Sequence, residues 1–203
     1  MPLLHDHLYL ASASPRRHDI LRQMQIAHEV VHVPSPDGED EPRLAGESPL
    51  QYVTRTAADK LQRASLWARE QGLASTAAIL TADTTVALGN EVLGKPASAD
   101  QAAEYLRRLS GTTHQVYTAV SLAYREQVFH ALSTNKVSFA LLSEEEIQAY
   151  CLSGEPMGKA GAYAIQGQGG VFVQRLEGSH SAVVGLPMHE TYTLLRDAGL
   201  LLI

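Results

Sequence analysis

Asp83 is the most suggestive side chain in this sequence. It follows the apolar run Ala77, Ala78, Ile79 and Leu80 and precedes Thr84 and Thr85. A carboxylate closing such a strand is partly buried and faces the edge at which open α/β sheets bind ligands. The simpler reading is an Asx turn that opens a hairpin. Arg16 and Arg17 follow Ser-Ala-Ser-Pro, in the first turn of an expected helix, where their charge opposes the helix dipole. A bound anion would relieve that conflict; two solvated arginines are the plain alternative. Lys95 and Lys159 each follow or neighbour a glycine-marked turn, in Gly-Lys-Pro (94–96) and in the stretch 155–167. Carboxylates with arginines and lysines on separate loops suit a magnesium–polyphosphate site. Guanidinium forks and ammonium groups then neutralise the remaining phosphate charge.

The elements that must position these groups are legible from pattern. Leu8 to Ala11 reads as a strand. Ser14-Pro15 caps and opens a helix through about Gln25, with Ile20, Leu21 and Met24 on one face. Strand followed at once by a helix N-terminus is an arrangement that holds phosphates. His28 to Val33 reads as a second strand, and 34–47 as a long loop whose Glu39, Asp40 and Glu41 offer metal ligands. Ser48-Pro49 starts a helix to about Gln71. The strand 77–81 ends at Ala82-Asp83-Thr84-Thr85, and 86–93 forms a hairpin turning at Gly89-Asn90. Ser98 with Gln101 is a capping box for a helix ending near Gly111. Two strands, 114–124 and 128–142, precede a helix capped by Ser143 and Glu146. Segments 163–166 and 171–176 flank a Gly-Gln-Gly-Gly turn, and Pro187 begins a last helix stopped by Gly199. Hairpins among helix-separated strands predict an α/β fold with a mixed sheet flanked by helices.

Composition narrows the function classes. The chain has 203 residues, 45% hydrophobic and 19% charged, which fits one globular domain over 1–203 rather than disorder. Its 16 basic and 22 acidic residues give a net charge of −6, which argues against a broad nucleic-acid surface. No apolar run approaches a membrane span, and the N-terminus does not read as a secretory signal. A soluble protein with no membrane partner is expected. Cys151 is the single cysteine, which excludes an internal disulfide framework and points to a reducing cytoplasm. The sequence holds no Walker A loop, no GxGxxG, no GxSxG and no HExxH. His5-x-His7 reads as a terminal tail rather than a zinc site.

Together, LASASPRR (10–17), ESPLQYVTR (47–55), TADTTV (81–86), LGKP (93–96), LSGTTHQVYTAV (109–120), GEPMGKAGAYAIQG (154–167) and GSHSAVVGLP (178–187) make the chain resemble the Maf family from Leu10 to about Leu195. That family comprises nucleoside triphosphate pyrophosphatases related in fold to the inosine triphosphate pyrophosphatases. The resemblance implies two lobes around a central cleft, and cleavage of a nucleoside triphosphate to monophosphate and pyrophosphate. It implies that Asp83 accepts the proton of the attacking water and touches a divalent cation, Mg²⁺ or Mn²⁺, with Glu41 as the acidic partner. Ser12, Ser14, Arg17, Lys60, Lys95 and Lys159 match positions that cradle phosphates. Arg16, Thr84 and Gln166 match the branch acting on dTTP and UTP. A carboxamide such as Gln166 offers an acceptor and donors to the imide edge of thymine or uracil, and a house-cleaning role extends this to modified pyrimidine nucleotides. The resemblance is also compatible with a homodimer. One position departs from it: Gly158 stands where the family has aspartate in EPxDKAG. Two other readings stay open, a nucleotide-sensing regulator of septation without catalysis and a purine or 7-methyl-GTP pyrophosphatase.

Overall fold

The computed structural model describes residues 6–34, 41–73 and 77–201. Glu39, Asp40 and His5 lie outside them. The elements are β1 (Leu8–Ala11), α1 (Pro15–Gln23), β2 (Glu29–Val31), α2 (Pro49–Glu70), β3 (Ala78–Leu88), β4 (Glu91–Leu93), α3 (Ala99–Leu109), β5 (Thr113–Tyr124), β6 (Gln127–Phe139), α4 (Glu144–Leu152), β7 (Val173–Glu177), α5 (His180–Val184) and α6 (Met188–Asp197). Short 3-10 turns cover Ala160–Ala162 and Gln168–Phe172. None of the helices is long and apolar enough to cross a membrane, among the described residues.

The sheet is mixed, as the pattern predicts. Its order is β2-β1-β3-β5-β6-β7, with β4 hydrogen-bonded to β3. β1 runs parallel to β2 and β3, and the remaining pairs are antiparallel. The parallel neighbours follow from helical connections, since β1 reaches β2 through α1 and β2 reaches β3 through α2. Period-2 alternation along β3 sends Ala78, Leu80 and Ala82 into a core with α1 and α6 residues, including Ile20, Leu21 and Leu195. Ile79 and Ala87 on the other face pack with residues of α2. A further cluster joins Leu106 and Leu109 of α3 to Ile147 and Tyr150 of α4, Phe139 and Tyr163.

Several expected boundaries move. The most consequential is β3, which does not end at Asp83: it is one strand of 11 residues with Asp83 at its centre, opposite Ala119. The ladder to β5 runs from Ile79–Ala123 to Ala87–Gln115 without a break. Thr81, expected in the strand, and Thr85, expected beyond its end, are both buried. The Thr81 hydroxyl donates to the Ala57 carbonyl of α2 at 3.0 Å, which removes the cost of burying it within a strand.

The ends of several helices and strands differ as well. α1 stops before Gln25, which adopts a φ of 57°. The Ile26 N–H turns back to the Leu21 carbonyl at 3.0 Å, as in a Schellman-type stop. Ser14 occupies the N-cap position of α1 without a side-chain capping bond. The Ser98 box is half formed, because Gln101 Oε1 accepts from the Ala97 N–H at 2.7 Å instead of from Ser98. β6 ends at Phe139, after an irregularity in its pairing with β7, and the Leu142 N–H is taken by Ser110 Oγ at 2.8 Å. Residues 163–166 form no strand. Helix α5 was not expected from the pattern; five residues are too few to show a helical period.

His114 on β5 shows how tightly the α3–α4 side packs. It is 1% exposed, edge-on to Phe139 and Tyr163, with Nε2 2.8 Å from the Tyr163 hydroxyl. Its Nδ1 is buried with no hydrogen-bond partner among the described residues. Burial pushes its pKa from the ordinary 6.5 down to about 4. The unfolded chain therefore binds this proton first as pH falls, and stability is lost between 6.5 and 4. The whole contribution is about 3 kcal/mol, fully present above the unfolded pKa. His114→Phe is expected to shrink the stability difference between pH 7.5 and 5, read by urea denaturation at both.

Candidate active site

The register explains why a cavity opens where it does. β1 pairs Leu10 with Leu80 and ends at Ala11, whereas β3 continues to Leu88. Beyond Ala11 the chain leaves the sheet for α1, so the flank of β3 that carries Asp83 and Thr84 faces the turn from Ser12 to Arg17. The edge rule for open sheets thus applies to the end of β1, not to the end of β3. The resulting cavity of about 750 Å³ is lined by Ser12, Ser14, Arg16, Arg17, Glu41, Lys60, Asp83, Thr84, Lys95, Lys159 and Gln166. Every site residue that the Maf resemblance implies lines this one cavity.

Asp83 is 5% exposed at the floor. Lys60, one turn along α2 from the Ala57 carbonyl that holds Thr81, donates from Nζ to Asp83 Oδ1 at 2.6 Å. The same ammonium pairs with Glu41 Oε1. Thr85 donates to Asp83 Oδ2 at 3.3 Å. Burial alone would raise the Asp83 pKa, but the Lys60 and Arg17 charges outweigh it and hold the carboxyl below its ordinary range. Asp83 is therefore a buried carboxylate at neutral pH. Among the described residues no group of three or more His, Cys, Asp or Glu side chains could hold a metal ion. Two carboxylates, Glu41 and Asp83, do converge on Lys60.

The two arginines are held by an element the sequence did not reveal. Arg17 Nε donates to the Gly185 carbonyl at 2.9 Å, and its terminal nitrogens to Ser12 Oγ at 3.1 Å and Thr84 Oγ1 at 3.4 Å. Arg16 Nε donates to the Val184 carbonyl at 3.3 Å. These carbonyls lie at the C-terminal end of α5, the negative end of its dipole and the place where helix carbonyls lack internal partners. The dipole conflict at α1 is thus offset by a second helix within the protein. Thr84 Oγ1 also meets Thr118 Oγ1 at 3.1 Å, and Thr118 donates to the Ala182 carbonyl of α5 at 2.7 Å. Burial lowers the Arg17 pKa from its usual value, and the Asp83 charge opposes that shift. A guanidinium remains charged under either influence.

Lys95, Lys159 and Gln166 line the same cavity from separate segments of the chain. Lys159 Nζ donates to the carbonyls of Glu155 at 2.6 Å and Met157 at 3.3 Å. Burial first, then the Arg16 charge, lower its pKa. Lys95 and Gln166 are exposed to the cavity and make no hydrogen bond or ion pair among the described residues. Gly158 lines the cavity with a φ of +71°, and a Cβ added there meets nothing within 4 Å. Sequence reading passed over Arg63 and His32, which also line the cavity. Arg63 was accessible to it, since three residues after Lys60 on α2 puts it on the same helix face. Six basic and two acidic side chains line the cavity among the described residues, in a chain of net charge −6.

An α/β sheet with a cation-rich cavity around one buried carboxylate defines a protein built to take a small anionic ligand. The model of the Maf-like protein family matches residues 7–198, and the chain belongs to that family. It is 52% identical over 195 residues to a dTTP/UTP pyrophosphatase of Bordetella avium, covering 96% of each chain. It is 48% identical over 193 residues to a dTTP/UTP pyrophosphatase of Neisseria meningitidis, covering 95% of this chain and 94% of the other. A solved structure of a dITP/XTP pyrophosphatase from Mycobacterium abscessus is 14% identical and aligns over 95% of each chain, with a TM-score of 0.41.

Two substitutions probe this geometry. Arg17→Met leaves the Gly185 carbonyl and Ser12 Oγ without their donor and is expected to destabilise by about 2 kcal/mol in urea unfolding. Gly158→Asp adds a side chain into open space in a conformation that aspartate tolerates better than most residues. It is expected to change stability by no more than about 1 kcal/mol in the same assay.

Proposed function

We propose that this protein hydrolyses dTTP and UTP, and modified pyrimidine triphosphates of similar shape, to the monophosphate and pyrophosphate. What carries the reading is the buried, ionised carboxylate of Asp83 at the floor of a cavity walled by cations, in a chain about half identical to dTTP/UTP pyrophosphatases. The volume lies within the range of small-molecule sites, about 300–1,000 Å³.

In this mechanism Arg17, Lys60, Lys95 and Lys159, with the hydroxyls of Ser12 and Ser14, hold the triphosphate. Asp83 takes a proton from water as the water oxygen bonds to the α-phosphorus. The bond from that phosphorus to the α–β bridging oxygen breaks, and pyrophosphate leaves with the electron pair. General-base assistance of this kind is worth about 10²–10⁴-fold. Gln166 meets the imide edge of the base, with Arg16 and Thr84 bounding the same pocket. A site built to pair one edge rejects bases that leave its polar groups unmatched.

Glu41 and Asp83 are the residues that would hold a divalent cation. Their carboxylates already converge on one positive centre, the Lys60 ammonium, and hard oxygen donors suit Mg²⁺ or Mn²⁺. When bound, the ion polarises phosphoryl oxygens. Lys60 is then available to the phosphates. The same reading makes residues 1–203 one cytoplasmic domain, compatible with a homodimer.

The test is pyrophosphate release from a panel of nucleoside triphosphates with Mg²⁺, Mn²⁺ or EDTA. Metal-dependent release fastest with dTTP and UTP is expected. Asp83→Asn is expected to lower turnover by about 10²–10⁴-fold while nucleotide binding stays within about tenfold. Faster release from a purine nucleotide would overturn the role of Gln166. Binding without release from any nucleotide would favour the septation sensor.

A further inference from the structure

The wall that carries Lys159 and Gln166 lacks a backbone ladder. Residues 155–167 run through turns and one 3-10 turn, with backbone bonds such as the Gly161 N–H to the Gly94 carbonyl at 3.1 Å and the Gly167 N–H to the Ala164 carbonyl at 3.1 Å. Two side chains add to them. The Tyr150 hydroxyl, on α4, donates to Glu155 Oε1 at 2.8 Å and accepts from the Ala164 N–H at 3.1 Å. The Glu155 carboxylate accepts from the Gln168 N–H at 3.0 Å and the Gly169 N–H at 3.1 Å. Ala164 on one side of Gln166 and Gln168 and Gly169 on the other are therefore tied to one carboxylate–phenol pair.

The clasp is close-packed. A Cβ at Gly167 would lie 2.5 Å from Glu155 Oε2, and one at Gly169 would lie 2.6 Å from the Tyr150 hydroxyl. Burial would raise the Glu155 pKa, but the Gly169 and Gln168 N–H groups and the Tyr150 hydroxyl together hold it below the ordinary value. An ionised carboxylate is the acceptor that three converging donors require. The main-chain carbonyl of the same residue receives Lys159 Nζ. Neither Glu155 nor Tyr150 lines the cavity.

We propose that Glu155, clasped by Tyr150, is a positioning residue that sets base selectivity by fixing the segment on which Gln166 stands. This rests on the reading of Gln166 as the group that meets the base. Glutamine at 155 would offer one good acceptor oxygen to three donors and turn an amide N–H₂ toward a backbone N–H. The segment would loosen while Asp83, Lys60 and Arg17 stay in place.

The experiment compares kcat and KM for dTTP and dGTP in the wild type, Glu155→Gln and Tyr150→Phe. The expected result is a fall of about tenfold or more in the dTTP-over-dGTP ratio of kcat/KM. That fall should be carried by a higher KM for dTTP, with kcat within about threefold and the double variant no worse than the single ones. Glu155→Asp, which keeps the carboxylate, should recover part of the ratio. Should Glu155→Gln fail to fold, Tyr150→Phe carries the test, since its ring can still pack on Phe172. Unchanged selectivity in folded variants of a pyrimidine-selective wild type overturns the clasp. So does an equal loss of kcat with both nucleotides, the mark of a merely structural role. A wild type that shows no preference for dTTP overturns the reading of Gln166 first, and the clasp's part in selectivity with it.

Discussion

The site depends on keeping one carboxylate charged in the interior of a sheet. Burying Asp83 at the middle of β3 would by itself protonate it or unfold its surroundings. The Lys60 ammonium, shared with Glu41, and the Arg17 guanidinium prevent this. Much of the architecture serves that requirement. α2 must pack on β3 closely enough for Lys60 to reach the strand, and the bond from Thr81 to the Ala57 carbonyl fixes its approach. α1 must start where β1 stops, so that Arg17 arrives from the other side.

The cations create a second constraint, because they repel one another and resist burial. Arg16 and Arg17 meet it through the terminal carbonyls of α5. Lys159 meets it through the carbonyls of Glu155 and Met157. In each case the partner is a main-chain oxygen rather than a carboxylate. Such partners satisfy hydrogen-bond donors while leaving the net positive charge of the cavity intact for an anion. A cavity neutralised by side-chain carboxylates would hold its shape equally well but attract phosphate poorly.

Local signals were faithful where local physics decides. The mixed sheet, the helix starts at Pro15, Pro49 and Ser143, and the turn at Gly89-Asn90 follow from period, capping and turn chemistry. They failed at β3. A run of Thr and Asp reads as the end of a strand, yet the β5 ladder and the nearby α2 carbonyl let those residues continue it. They failed again at α5, whose five residues carry no helical period, although its carbonyls hold both arginines. Arg63 was missed although its spacing from Lys60 placed it on the same helix face.

The sequence by itself determined the chemical inventory: which carboxylates, cations and amide stand at turns and strand ends, in the order that marks the Maf family. Those are properties of residue type and spacing, and the candidate side chains among the described residues line one cavity. Only the tertiary structure decided what each of them faces. That Lys60 bridges Asp83 and Glu41, that α5 receives Arg16 and Arg17, and that Tyr150 and Glu155 between them tie down both flanks of Gln166 are contacts between separate elements. Their energies come from desolvation and from partners brought together by the sheet register, and no local pattern encodes those partners.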